Sequence, residues 1–134
     1  MFRKTDDRIL EKEIFNVSSN TFRAIALDVF RFQYENNNVY NEFCKSLHRN
    51  PGNTHKIQQI PYLPVGIFKT HDIKTTNFVP ETIFESSGTT ESTPSRHHVK
   101  KTELYRRSFI STFEQFYGNV NDWCILGLLP SYLE

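Results

Sequence analysis

Apolar residues return at helical intervals three times within the first fifty positions. Asp6 or Asp7 is placed to cap a short helix reaching about Phe15, with Ile9, Leu10 and Ile14 on its buried side. Ser18, Ser19 and Asn20 then offer a second cap. Beyond them Phe22, Ile25, Ala26, Val29 and Phe30 form one apolar stripe, and Asn36-Asn37-Asn38 interrupts it. Val39, Tyr40, Phe43 and Leu47 mark a third helix, ended by the breaker cluster Asn50-Pro51-Gly52-Asn53.

The pattern changes after position 57. Pro61, Pro64 and Gly66 stand among apolar residues, which predicts extended chain, with Val65-Gly66-Ile67-Phe68 as a short strand. Residues 79–85 and 96–101 predict two strands around a long turn. An amphipathic helix follows over about 103–117, with Tyr105, Phe109, Phe113 and Phe116 on one face; Gly118 and Asn119 end it. That phenylalanine stripe reads as core rather than acyl pocket, although a fatty-acid tunnel would need similar walls. The unbroken apolar run 123–129 predicts a strand buried on both faces, as in a covered sheet. Such a strand needs neighbours and covering helices, and an exposed one invites aggregation. With only 130–134 after it, the expectation is the front part of a larger fold or a chain that assembles with another. The alternative is a small α+β domain whose last strand tucks under the helices. The fold class is α/β in one domain, residues 1–50 helical and 57–134 α/β: N-terminal helices, a β-hairpin, an amphipathic helix and a buried strand.

Composition narrows the partners. In 134 residues, 16 basic and 15 acidic side chains leave a formal net charge of +1, so no global field draws the chain toward nucleic acid or a membrane surface. The 12 phenylalanines, 6 tyrosines and 1 tryptophan need an interior or a partner to receive them. Cys44 and Cys124 suggest neither a disulfide framework nor a metal site. The charged start of the chain is unlike a signal peptide, and no apolar run reaches membrane-spanning length. The expectation is a cytoplasmic protein.

The chemistry concentrates in Phe84-Glu85-Ser86-Ser87-Gly88-Thr89-Thr90-Glu91-Ser92-Thr93-Pro94-Ser95-Arg96-His97. Hydroxyls crowd around one glycine, which lets the main chain turn closely. Converging backbone amides and O–H groups suit an anion, nucleotide phosphates above all. The ordinary alternative is a solvent-exposed turn, because serine, threonine and glycine favour turns for local reasons. No Gly-Lys-Ser/Thr follows, so a Walker A loop is excluded. The basic run Arg96, His97, His98, Lys100, Lys101, Arg106, Arg107 reads first as a solvated strand and helix start. His71-Asp72 with His97 and His98 matches no known metal-ligand spacing. Cys124, inside its apolar run, reads as a small hydrophobe, and Cys44 as partly buried on its helix. Glu85 and Glu91 read as a surface pair.

Ser86-Ser87-Gly88-Thr89-Thr90-Glu91, then Pro94, resembles the phosphate loop of adenylate-forming enzymes. Together with the stretch 61–69, Ser95-Arg96-His97, Leu104-Tyr105, Phe116-Tyr117-Gly118 and the stretch 126–134, it is similar to the N-terminal part of LuxE-type acyl-protein synthetases, from about Ile57 to Glu134. The resemblance implies residues 1–134 as the N-terminal part of an AMP-binding domain, with the phosphate loop at 84–96. It implies activation of a carboxylic acid, a fatty acid in this family, by ATP with Mg2+. The resulting acyl-adenylate passes its acyl group to a protein thiol. Ser86, Ser87, Gly88, Thr89, Thr90 and Ser92 are then the phosphate contacts, with no catalytic residue and no metal ligand assigned. The implied partners are nucleotide, carboxylic acid, and a partner chain or further C-terminal segment. Where the family has a second glycine, this chain has Glu91. A carboxylate turned toward a phosphate at 4 Å costs about 4 kcal/mol at an effective dielectric near 20. The expectation is an acid–thiol ligase incomplete in this chain, with a non-catalytic remnant or an interaction or nucleotide-binding module as the alternative.

Overall fold

The computed structural model describes residues 7–86 and 93–127. The chain divides into two compact units, Met1–Thr102 and Glu103–Glu134. In the first, helix α1 (Asp7–Phe15) buries Leu10, and helix α2 (Phe22–Asn36) buries Leu27 and Phe30. The turn before α2 is closed by Ser18, whose carbonyl accepts the amides of Thr21 and Phe22. Asn37 alone breaks the second helix from α3 (Asn38–Ser46): its backbone is extended and its side chain accepts the Tyr40 amide at 3.1 Å, so it is an N-cap.

Helix α3 ends before the predicted breaker cluster. His48 takes a left-handed φ of 54°. The His48 amide donates to the Lys45 carbonyl, and the Arg49 amide to the Cys44 carbonyl. These two bonds make a Schellman close with histidine where glycine is usual. Phe30, Tyr40 and Cys44 form the core, with Tyr34, Phe43, Ile60 and Leu63 packed around them. The Phe30 and Tyr40 rings meet edge-on at 6.2 Å, and the Tyr40 hydroxyl donates to the Pro61 carbonyl at 2.6 Å. Each fully buried large apolar side chain is worth about 1.5–3 kcal/mol.

Two predicted strands are corrected. Residues Val65–Lys69 form a 3-10 turn, not a strand. Pro64 sets φ at −59° before it, and its carbonyl accepts the Ile67 amide at 3.0 Å, so these groups are satisfied locally. The predicted strand over 123–129 is also not a strand over its described part: after a 3-10 turn, Val120–Asp122, the Trp123 amide donates back to the Val120 carbonyl, and residues 123–127 join no strand among the described residues. Trp123, Ile125 and Leu126 are exposed, Leu126 by 87%. Leu128, Leu129 and 130–134 lie outside the described residues.

Strands β1 (Thr82–Glu85) and β2 (Arg96–Val99) pair as the predicted hairpin, the one sheet among the described residues. Helix α4 (Thr102–Tyr117) has its expected length and is followed by Gly118 at φ +79°, but it buries none of its residues. The aromatic stripe is therefore not core: Phe109 is 54% and Phe116 75% exposed. The result is a helix-rich mixed α/β chain with a small antiparallel sheet. No helix among the described residues is long and apolar enough to cross a membrane.

Candidate functional site

The hairpin pairs Thr82 with Val99, Ile83 with His98, Phe84 with His97 and Glu85 with Arg96. The ladder continues one residue further. The Ser86 amide donates to the Ser95 carbonyl at 3.0 Å, and the Ser95 amide donates to Ser86 Oγ at 2.9 Å. The two ends of the hydroxyl-rich bend are thus clamped together. Ser86 is the one predicted phosphate contact among the described residues; Ser87, Gly88, Thr89, Thr90 and Ser92 lie outside them, as does Glu91. A hydroxyl has one donor and two acceptor sites, so Ser86 still has its O–H to donate. Ser95, the other half of the clamp, was not assigned a role from sequence. The signal was a serine at each end of the bend.

Charged groups fix the base of the hairpin. Arg96 Nε lies 3.4 Å from Glu85 Oε1, and Arg96 Nη1 lies 3.7 Å from Asp72 Oδ1. His98 Nε2 meets the same Asp72 oxygen at 3.0 Å. That hydrogen bond, with smaller help from Arg96 and Lys74, holds the Asp72 carboxyl below its usual range. Glu81 accepts from both the Thr102 amide and hydroxyl at 2.7 Å, which also lowers its carboxyl. Glu85 is therefore an ion-pair partner of Arg96. Lys100 and Lys101 reach Asp7 and Glu11 on α1 at 2.9 and 3.0 Å, tying the end of β2 to the first helix.

The histidines do not converge. His98 has a side chain only 4% exposed, while His71 Nδ1 shares a 2.8 Å hydrogen bond with Thr70 Oγ1. Among the described residues no group of three or more His, Cys, Asp or Glu side chains comes together. Cys44 is fully buried, and burial pushes its thiol up. Cys124 is exposed, contrary to its reading as a buried hydrophobe, because the run around it is unpacked.

Beside β2, within the first unit, lies a cavity of about 800 Å³. The α2 stripe Phe22, Ile25, Ala26, Val29 and Phe30 forms one wall. His97 and His98 line it from β2. Sequence reasoning missed it, because its walls come from segments far apart in the chain.

A protein-family model described as acyl-protein synthetase, LuxE, matches residues 2–126. No curated protein and no solved structure matches the chain.

Proposed function

Because the chain belongs to the LuxE acyl-protein synthetase family, we propose that its clamped hairpin holds the phosphates of ATP while a fatty acid is activated in the cytoplasm. The fatty-acid carboxylate oxygen attacks the α-phosphorus. A new C–O–P bond forms, the bond to the bridging oxygen breaks, and pyrophosphate leaves. A protein thiol sulfur then attacks the acyl carbon of the adenylate; the C–S bond of a thioester forms, the C–O bond to the phosphate breaks, and AMP and the thiol proton leave. The chain's own task is to place donors where charge grows on the leaving pyrophosphate, which is worth most when those donors are fixed beforehand. The observation that supports this is the Ser86–Ser95 clamp: two hydrogen bonds join the ends of the hydroxyl-rich segment, so the bend is anchored on a paired ladder. Ser86, Ser87, Gly88, Thr89, Thr90 and Ser92 are the proposed phosphate contacts. Magnesium would enter with the nucleotide and neutralise phosphate charge; no step here is routed through it.

Glu91 sets the test. Calorimetry with magnesium-ATP is run on the wild-type chain and on Glu91→Gly. The expected result is at least tenfold tighter binding in the variant, because a negative charge leaves the loop and glycine restores backbone freedom. Absence of binding in both would contradict nucleotide binding and favour a non-catalytic interaction module.

A further inference from the structure

The cavity in the first unit is an apolar trough, and much of its polar lining is satisfied within the protein. Thr75 Oγ1 donates to Gln33 Oε1 at 2.5 Å, and Asn37 Nδ2 reaches Thr75 Oγ1 at 3.4 Å. The Tyr40 hydroxyl donates to the Pro61 carbonyl. The lining cations are balanced as well. Lys100 pairs with Asp7 at 2.9 Å. Lys74 is near enough to Asp72 to help hold that carboxyl below its usual range, after the larger effect of the His98 hydrogen bond. Both ammonium groups stand over the Phe78 ring, at 5.8 and 5.9 Å from its centroid. Nothing in this lining asks for an anion.

His98 asks for something else. Its Nδ1 is the one lining side-chain atom that is buried without a hydrogen-bond partner among the described residues. The side chain is only 4% exposed, and Nε2 lies 3.0 Å from Asp72 Oδ1. An ionised carboxylate only accepts, so Nε2 carries the hydrogen and, in the neutral ring, Nδ1 holds the lone pair. A buried acceptor without a donor is unfavourable, and a ligand that brings the donor removes that penalty. The other walls decide the body of such a ligand. Six phenyl or phenol rings line the trough: Phe22, Phe30, Tyr40, Tyr62, Phe68 and Phe78. Edge and offset ring contacts add to area burial, which favours an aromatic guest over an aliphatic one. A volume of about 800 Å³ admits more than one ring.

We propose that this cavity binds an uncharged phenol of more than one ring, its body among the aromatic walls and its O–H donating to His98 Nδ1. Asp72 is then a positioning residue, which fixes the nitrogen left to accept. The inference goes beyond the adenylation reading and is independent of it, because it needs neither nucleotide nor the hydroxyl-rich bend.

The test uses the whole chain without nucleotide, at pH 8. 2-Naphthol, 2-methoxynaphthalene and 2-naphthoate are titrated in turn, followed by calorimetry and by amide NMR. The naphthol is expected to bind at least about tenfold more tightly than its methyl ether, which has the same rings and no donor. It should also bind more tightly than the anion. Amide shifts should gather on His97 to Lys100 and on the α2 stripe from Phe22 to Phe30. His98→Gln keeps a donor where Nε2 stands and lacks an acceptor where Nδ1 stands. That variant should bring the naphthol down to the level of the ether and leave the ether unchanged, whereas a merely structural role would weaken both alike. Circular dichroism and the thermal midpoint check its folding; if it is unfolded, the wild-type preference and the location of the shifts decide alone. Equal binding of naphthol and ether, tightest binding of the naphthoate, shifts that gather elsewhere, a preference that survives folded His98→Gln, or no binding would each overturn the proposal. None of these results bears on whether ATP binds, so the two readings fail separately.

Discussion

Helices α2 and α4 carry similar apolar stripes and meet different fates. The α2 stripe faces a core and a cavity: Leu27 and Phe30 are buried, and Phe22, Ile25, Ala26 and Val29 line the trough. The α4 stripe stays in the open among the described residues. Tyr105 and Phe109 meet edge-on at 5.8 Å, and Phe113 meets Tyr117 and Trp123 at 4.9 and 6.1 Å. Helical period identifies which face is apolar, and says nothing of what covers it. That cover must come from segments elsewhere in sequence: for α2 it comes from Tyr40, Ile60 and Leu63.

The largest effect should come from cutting the buried stripe. Phe30→Ala removes the ring at the centre of the core, 2% exposed, and should cost about 3–5 kcal/mol. Denaturant unfolding should show the midpoint falling sharply or the chain failing to fold. Tyr40→Phe keeps the ring but leaves the Pro61 carbonyl without its donor; a loss of about 1–2 kcal/mol is expected in the same assay. Thr76 is held at φ 69°, which is strained for a β-branched residue, and its buried hydroxyl has no hydrogen-bond partner among the described residues. Thr76→Asn accepts that backbone more readily and should raise stability by roughly 1 kcal/mol, seen as a higher thermal midpoint.

The hairpin base offers a pH test. Asp72 and Glu81 have carboxyls lowered from ordinary values of 3.8 and 4.5. Their folded-state contribution is therefore present above those values and lost as pH falls below them through the lowered ones. Stability of the wild type should decline in that acid window, and Asp72→Asn should flatten part of the decline. The smallest effect belongs to the other stripe: Phe109→Ala on α4 should change stability by no more than about 0.5 kcal/mol. A loss on the scale of Phe30→Ala would break the comparison, because it would mean that the α4 face is covered in the folded protein.

The helices were legible because each had an apolar period, although the N-cap of α2 is Thr21, with no side-chain cap bond, and not Ser18, Ser19 or Asn20; the hairpin was legible because two short runs flanked a turn-rich segment. Three things were not. The end of α3 depends on His48 adopting a left-handed backbone, which no propensity rule points to. Val65–Phe68 and the run from Trp123 looked like strands from apolar content alone, yet a strand needs a partner for its backbone groups, and neither segment has one among the described residues. The cavity was invisible because it is a property of segments brought together, although the α2 stripe that forms its wall was read correctly. For the candidate site, the anchoring ladder was foreseen, while the Ser86–Ser95 clamp and the role of Asp72 beneath Arg96 and His98 emerged only from geometry.

The central claim is that the bend centred on Gly88 receives a triphosphate. The most direct measurement is two-dimensional amide NMR of the labelled chain during titration with magnesium-ATP, using the Glu91→Gly variant if wild-type affinity is too weak to saturate. The account predicts saturable shifts confined to the amides from Ser86 to Ser95 and their strand neighbours, with those of α3 unmoved. Shifts that gather elsewhere, or none in either chain at saturating nucleotide, would contradict it.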